Sequence, residues 1–295
     1  MEAVKAYWQL TKPRITLAIF ALFVLAALTS TLDNYWLSLA EKLSKFLVGA
    51  AAVFASAAGS NALNCYFDRD VDSIMVRTRR RPIPQGKIRA KNGLLFSITF
   101  LGTSLVLTYL VGFLPTVLLL LGLSSYLLFY TLLLKRKNPL NVFATAPAVA
   151  SPVWFGWIVG RGYLDFQGVL MGSVVMLWGP LHLWSLAMLF SKDYEKVNVP
   201  MLPVVVGWQK ACWHILVLSI MLSFTSVLPF LLNYFGVIYL AGVTTLNTIL
   251  IFLSVRALTL RTGRSAWLLY KFSAPYMVGL LLMATIDRLI TLQNW

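Results

Sequence analysis

The chain has 295 residues, of which 59% are hydrophobic and only 12% charged, and its mean hydropathy is +0.78. A soluble globular protein carries about 25% charged residues, so this composition excludes an ordinary water-soluble domain. The net charge of +15 lies between apolar stretches, which argues for membrane topology and against a nucleic-acid partner.

Roughly 20 apolar residues span a bilayer, and nine candidate spans follow in chain order, at 15–32, 46–67, 93–113, 115–134, 142–159, 166–190, 211–232, 235–255 and 266–292. Backbone groups in hydrocarbon must be bonded within the segment, so each span reads as a helix. The first follows Lys12-Pro13-Arg14 and ends at Asp33-Asn34 without a small-residue cleavage site, so it reads as a span rather than a leader. The splits near 113–115 and 233–236 rest on short turn signals. Cys65 and Cys212 are too few for a disulfide framework. The expected architecture is an all-α, polytopic membrane protein. A single domain over 1–295 places its nine transmembrane helices around a central cavity open toward the cytoplasmic side.

Charge assigns the two sides. The N-terminus and the connections after even-numbered spans hold 21 of the 25 Lys and Arg. The other side holds only Lys42, Lys45, Arg161 and Arg288. The positive-inside rule then places the N-terminus and the even connections in the cytoplasm, and the C-terminus outside.

Two cytoplasmic connections hold the chemistry. At the end of the second span, Asn64, Asp68 and Asp72 recur every four residues and share one helix face, with Asp70 off that stripe. Carboxylates at a membrane helix end are costly unless they face a wet or liganded cavity. Hard oxygens of this kind suit Mg2+, which keeps waters and bridges one or two carboxylates to substrate phosphates. The run Arg77-Thr78-Arg79-Arg80-Arg81-Pro82 follows at once, and arginine clamps phosphate oxygens in a bidentate way. The plainer account is an acidic helix end paired to a basic loop.

The second connection carries His182 within an apolar span, then Lys192 and Asp193, then Pro200-Met201-Leu202-Pro203. Asp193 lies about three helical turns beyond His182, roughly on the same face. Asp68 and Asp193 close the second and sixth spans, as two facing half-sites would.

These residues resemble the UbiA superfamily of intramembrane prenyltransferases. Its signature, Asn and two Asp at four-residue spacing followed by Arg-Thr-x-x-Arg-Pro, falls on Asn64, Asp68, Asp72, Arg77, Thr78, Arg81 and Pro82. Leu10–Arg14 and Tyr130–Arg136 match as well. Most members carry Asp-x-x-x-Asp in the second motif. Here Leu189 stands where the first Asp would fall, and Asp193 is retained. His182, Trp184, Asp193, Tyr194 and the Pro-x-Leu-Pro stretch are similar to the branch that prenylates heme.

The resemblance implies transfer of farnesyl from farnesyl diphosphate to a vinyl group of heme b, with water added, in the lipid bilayer of the cell membrane. It implies Mg2+ at Asp68, Asp72, Asn64 and Asp193, with Arg77, Arg81, Lys135 and Lys192 on the diphosphate. Tyr66 and Tyr130 would line the cavity around the allylic cation, or serve as interfacial aromatics. His182 would ligate or orient heme, handle the proton when water adds, or form an interhelical hydrogen bond to Ser185 or Asp193. Heme-handling or oxidase-assembly proteins are the expected protein partners. The alternatives are another acceptor, either an aromatic quinone precursor or a glycerol phosphate lipid precursor, and a membrane transporter. A transporter would show paired broken helices around a midplane site.

Overall fold

The computed structural model describes residues 2–32 and 38–292, so the end of the first span at Asp33-Asn34 lies outside the described residues. Among the described residues there are nine helices long and apolar enough to cross a membrane. They take the order expected from the sequence. Short helix α1 (Glu2–Leu10) precedes the spans α2 (Pro13–Thr31) and α3 (Leu39–Phe67), and α4 (Arg69–Ile74) continues from α3. Then come α5 (Ala90–Val111), α6 (Phe113–Leu123, extended by Ser124–Leu134) and α7 (Ala146–Arg161). The rest is α8 (Phe166–Leu189), short α9 (Ser191–Lys196), α10 (Leu202–Leu231), α11 (Val237–Leu260) and α12 (Gly263–Leu292). Each span packs on its neighbours in sequence, and α12 closes the ring on α2.

Both uncertain splits are real helix breaks. Gly112, between α5 and α6, takes a backbone conformation open to glycine (φ 156°, ψ 170°). Asn233 sits in the left-handed region between α10 and α11. Several helices run past their apolar stretch because something outside the bilayer caps or continues them. Ser38 and Glu41 form a reciprocal cap that starts α3 seven residues before the expected span. A 3-10 turn at Asn141–Thr145 leads into α7. α10 begins at Leu202 rather than 211, across a bend at Gly207 (φ 76°).

Lipid offers no hydrophobic force to pair these helices, so small residues and interhelical hydrogen bonds do it. Gly156 and Gly160 on α7 let that helix lie against α2 so closely that a Cβ on either would run into the Phe23 or Ala27 carbonyl oxygens. On the other side of the ring, Asn247 of α11 accepts from Tyr276 of α12 at 2.8 Å and donates to Ser226 of α10 at 3.0 Å. Asp287, buried in α12, accepts the Gly236 and Tyr239 N–H groups at 2.7 and 3.1 Å, which satisfies the open donors at the start of α11. The sequence reading did not single out Asp287, though an isolated acid in the last span was a visible signal.

Candidate active site

The acidic stripe survives a change of helix. Asp68 caps α3 with non-helical angles (φ −89°, ψ 4°), yet Asp68 N–H still bonds Asn64 C=O at 2.9 Å and Asp72 N–H bonds Asp68 C=O at 2.7 Å. Asn64, Asp68 and Asp72 are therefore all buried, at 4%, 1% and 2% exposure. Asp70 points out and is held by Arg136 through two 2.8 Å bonds, which keep its carboxyl below its ordinary value.

Each buried acid has its own cation. Lys135 pairs with Asp68 Oδ2. Arg81 Nη1 reaches Asp72 Oδ2 at 2.6 Å. The other Asp68 oxygen, Oδ1, is buried without a hydrogen-bond partner. A buried carboxylate oxygen left bare is costly, and it is the donor a hard divalent cation takes. Among the described residues no three His, Cys, Asp or Glu side chains converge on one point. The residues therefore fit a Mg2+ held by one or two carboxylates, with waters and phosphate oxygens completing its shell.

Lys135 arrives by an unusual backbone. Residues 124–134 wind as a π-helix, and Lys135 N–H bonds Tyr130 C=O five residues back at 2.8 Å. Such wide turns are rare and concentrate at functional sites. The winding also brings Thr131 to Asn64, whose Nδ2 donates to Thr131 Oγ1 at 3.1 Å and to Asp68 Oδ2 at 2.9 Å. Tyr130 is buried, stacks on Tyr126 at 6.0 Å and lies 5.8 Å from the Lys135 ammonium. Tyr66, by contrast, packs in a cluster with Ala6, Leu10 and Ile83, away from these acids.

A further cation was not among the residues the sequence singled out for the site. Lys12, in the left-handed conformation just before α2, places Nζ 2.6 Å from Asn64 Oδ1. Burial pushes its pKa down to about 8, and nearby Arg81 pushes the same way. Asn64 thus turns its oxygen to an ammonium and its nitrogen to a carboxylate, so it orients Asp68. The lysine beside Pro13 was visible, but a contact 52 residues long left no mark in the sequence.

The second connection docks on the first. Asp193, 7% exposed, accepts the Arg77 backbone N–H at 3.2 Å, and Arg77 Nη2 lies 3.4 Å from Tyr194 Oη. Thr78 Oγ1 bonds the Asp72 carbonyl at 3.3 Å, which ties the arginine loop back to α4. Lys192 is exposed and, among the described residues, makes no ion pair. The helix does not run through from His182 to Asp193, because it breaks at Phe190 (φ −117°, ψ 26°). His182 bonds neither Ser185 nor Asp193 through its ring. Its Nδ1 lies 2.7 Å from Ser273 Oγ on α12, while Ser185 Oγ donates to the His182 carbonyl.

A ring of membrane helices with paired acidic and basic side chains at the ends of α3, α6 and α8 is the layout of an intramembrane transferase. The chain belongs to the UbiA prenyltransferase family, whose model matches residues 17–276. A protoheme IX farnesyltransferase from Desulforudis audaxviator is 36% identical over 292 residues, covering 97% of this chain and 89% of that protein. Protoheme IX farnesyltransferase 1 from Cenarchaeum symbiosum is 35% identical, covering 95% and 94%. Among solved structures, one concerned with digeranylgeranylglyceryl phosphate synthase has the same fold, with a TM-score of 0.79, 21% identity and coverage of 98% and 100%. A UbiA homolog from Archaeoglobus fulgidus bound to DMAPP and Mg2+ has a TM-score of 0.67 at 15% identity, covering 94% and 99%.

Proposed function

We propose that this chain transfers a farnesyl group from farnesyl diphosphate to a vinyl group of heme b, making heme O. Full-length likeness to the protoheme IX farnesyltransferases, at 36% identity over 97% of the chain, carries that conclusion. The protein acts as a multi-pass protein of the cell membrane, with its N-terminus and both charged connections on the cytoplasmic side.

The site residues divide the work by charge. Asp68 and Asp72 hold Mg2+ from one side, and Asp193 faces them across the Arg77 loop. When bound, Mg2+ supplies positive charge to the diphosphate as it leaves. In the free site Lys135 and Arg81 neutralise the two buried acids. With Mg-diphosphate present, the acids turn to the metal, and these cations, with Arg77, Lys12 and Lys192, turn to phosphate oxygens. Preorganised cations at a developing negative charge are the largest source of rate in such sites.

The bond that breaks joins the farnesyl C1 to the diphosphate oxygen, and the electron pair leaves with the diphosphate. The vinyl group then bonds to C1, and water adds to the cation left beside the porphyrin, releasing a proton. Tyr126 and Tyr130 offer aromatic faces to the allylic cation next to Lys135. His182 serves the heme side of the reaction.

The heme extracted from cells expressing the chain tests the assignment. A hydroxyfarnesyl heme, identified by mass, is the expected product. Unmodified heme b alongside a prenylated quinone precursor or glycerol phosphate lipid would overturn it.

A further inference from the structure

His182 lies seven residues before the end of α8 at Leu189, about 10 Å along the axis at 1.5 Å per residue. Its ring is held between two others. Trp178, one turn earlier on α8, stacks on it with centroids 4.8 Å apart and planes at 23°. Tyr270 of α12 covers the opposite face at 4.9 Å and 33°. The imidazole is thus fixed in orientation by partners from two helices.

Its hydrogen bonding fixes the proton as well. Ser273, 0% exposed, donates its one hydroxyl proton to the Tyr270 carbonyl at 2.7 Å. Toward His182 Nδ1, also at 2.7 Å, it then has only a lone pair to offer. Nδ1 therefore carries the proton, and Nε2 carries the free lone pair. Ser273 is pinned in turn, because its own carbonyl accepts the Trp178 indole N–H at 2.7 Å. Among the described residues Ser273 is the only hydrogen-bond partner of the imidazole ring, so Nε2 is unclaimed. A purely interhelical histidine would use both nitrogens.

We infer that Ser273 is a positioning residue for the heme acceptor: it locks His182 as the Nδ1–H tautomer between Trp178 and Tyr270, so that Nε2 is the axial ligand of the incoming heme iron. This rests on heme being the acceptor. A neutral imidazole whose second nitrogen donates to an oxygen is the usual state of a metal-binding histidine. Tethering the iron fixes the porphyrin, and a vinyl group with it, against the prenyl chain. That is the positional contribution to rate.

The test is a titration of the detergent-solubilised full chain with ferric heme b, without prenyl diphosphate, followed by the Soret band and by electron paramagnetic resonance. The wild type should give the spectrum of histidine-ligated iron. His182→Gly should lose it and regain it with added imidazole. Ser273→Ala should bind heme roughly 10- to 100-fold more weakly, the usual cost of removing a ligand's hydrogen-bond partner. Ser273→Thr, which keeps the hydroxyl, should restore it. Unchanged affinity for Mg-farnesyl diphosphate shows that each variant is folded. Equal heme affinity and spectrum in wild type, His182→Gly and Ser273→Ala overturns the inference while leaving the heme acceptor in place. Absence of heme binding by an active wild type removes both.

Discussion

Asp193 Oδ2 accepts the backbone N–H of Arg77, joining two connections 116 residues apart. The bond reaches a backbone group, so it positions the arginine loop whatever Arg77's side chain is doing. It leaves the Arg77 guanidinium to Tyr194 and to the face of Phe190, 5.4 Å away. Asp193 then has two duties, docking the loop and offering negative charge to Mg2+. Asp193→Asn keeps an accepting oxygen and loses the charge, whereas Asp193→Ala loses both. In a Mg2+ titration of activity, Asn should raise the Mg2+ requirement, and Ala should do so and lower the plateau as well. Wild-type behaviour in the Ala variant would show that the two half-sites do not cooperate.

The three acids of the first motif should separate by burial. Asp68→Ala and Asp72→Ala each remove a buried carboxylate whose cation partner is then stranded, and each should cost about 100-fold or more in rate, the scale of losing one preorganised electrostatic group. Asp70→Ala removes an exposed pair with Arg136, worth roughly 0.2–1 kcal/mol, and should change activity less than threefold or so. Turnover of purified, normally inserted variants measures this. Equal losses at all three positions contradict the register.

Lys12 makes the site sensitive to alkali. Its ammonium is half-buried beside Asn64, and burial brings its pKa down to about 8. Activity that needs this positive charge should fall as pH rises through about 8. In Lys12→Met the rate should be lower at neutral pH, and that limb should vanish. Stability runs the other way. The folded pKa lies below the ordinary 10.5, so between about 8 and 10.5 the unfolded chain holds more protons and folding is favoured by raising the pH. Melting in detergent should therefore rise with pH across that window in the wild type relative to Lys12→Met.

Sidedness can be read with single cysteines. Lys87 and Lys196 are exposed in the two charged connections, and Tyr163 is exposed after α7. Cysteines at 87 and 196 should react with a membrane-impermeant reagent only once the cytoplasmic side is opened, and one at 163 should react from outside. Opposite labelling of 87 and 196 is incompatible with one shared site.

The membrane spans were legible because each is a long apolar run, and their ends were blurred wherever a cap or bend lay beyond the hydrocarbon. The acidic register was legible because a four-residue repeat needs only local geometry, and it holds even across the change of helix at Asp68. Long-range contacts were not legible. Nothing local says that Lys12 meets Asn64, that Ser273 rather than Ser185 or Asp193 meets the His182 ring, or that Asp287 closes the start of α11. The break at Phe190 also escaped, since the residues around it carry neither glycine nor proline.

The π-helical stretch makes the length of one segment part of the chemistry. Widening the turn over 124–134 absorbs extra chain while keeping Lys135 against Asp68. Deleting one lipid-facing residue there, such as Leu132, would let the ladder tighten to the ordinary four-residue bond. Everything after the deletion would swing by about 100° around the axis, carrying Lys135 off its carboxylate with no site side chain altered. Insertions and deletions in α6 should therefore inactivate as sharply as substitutions in the acidic motif, so its spacing is constrained even where its composition is interchangeable.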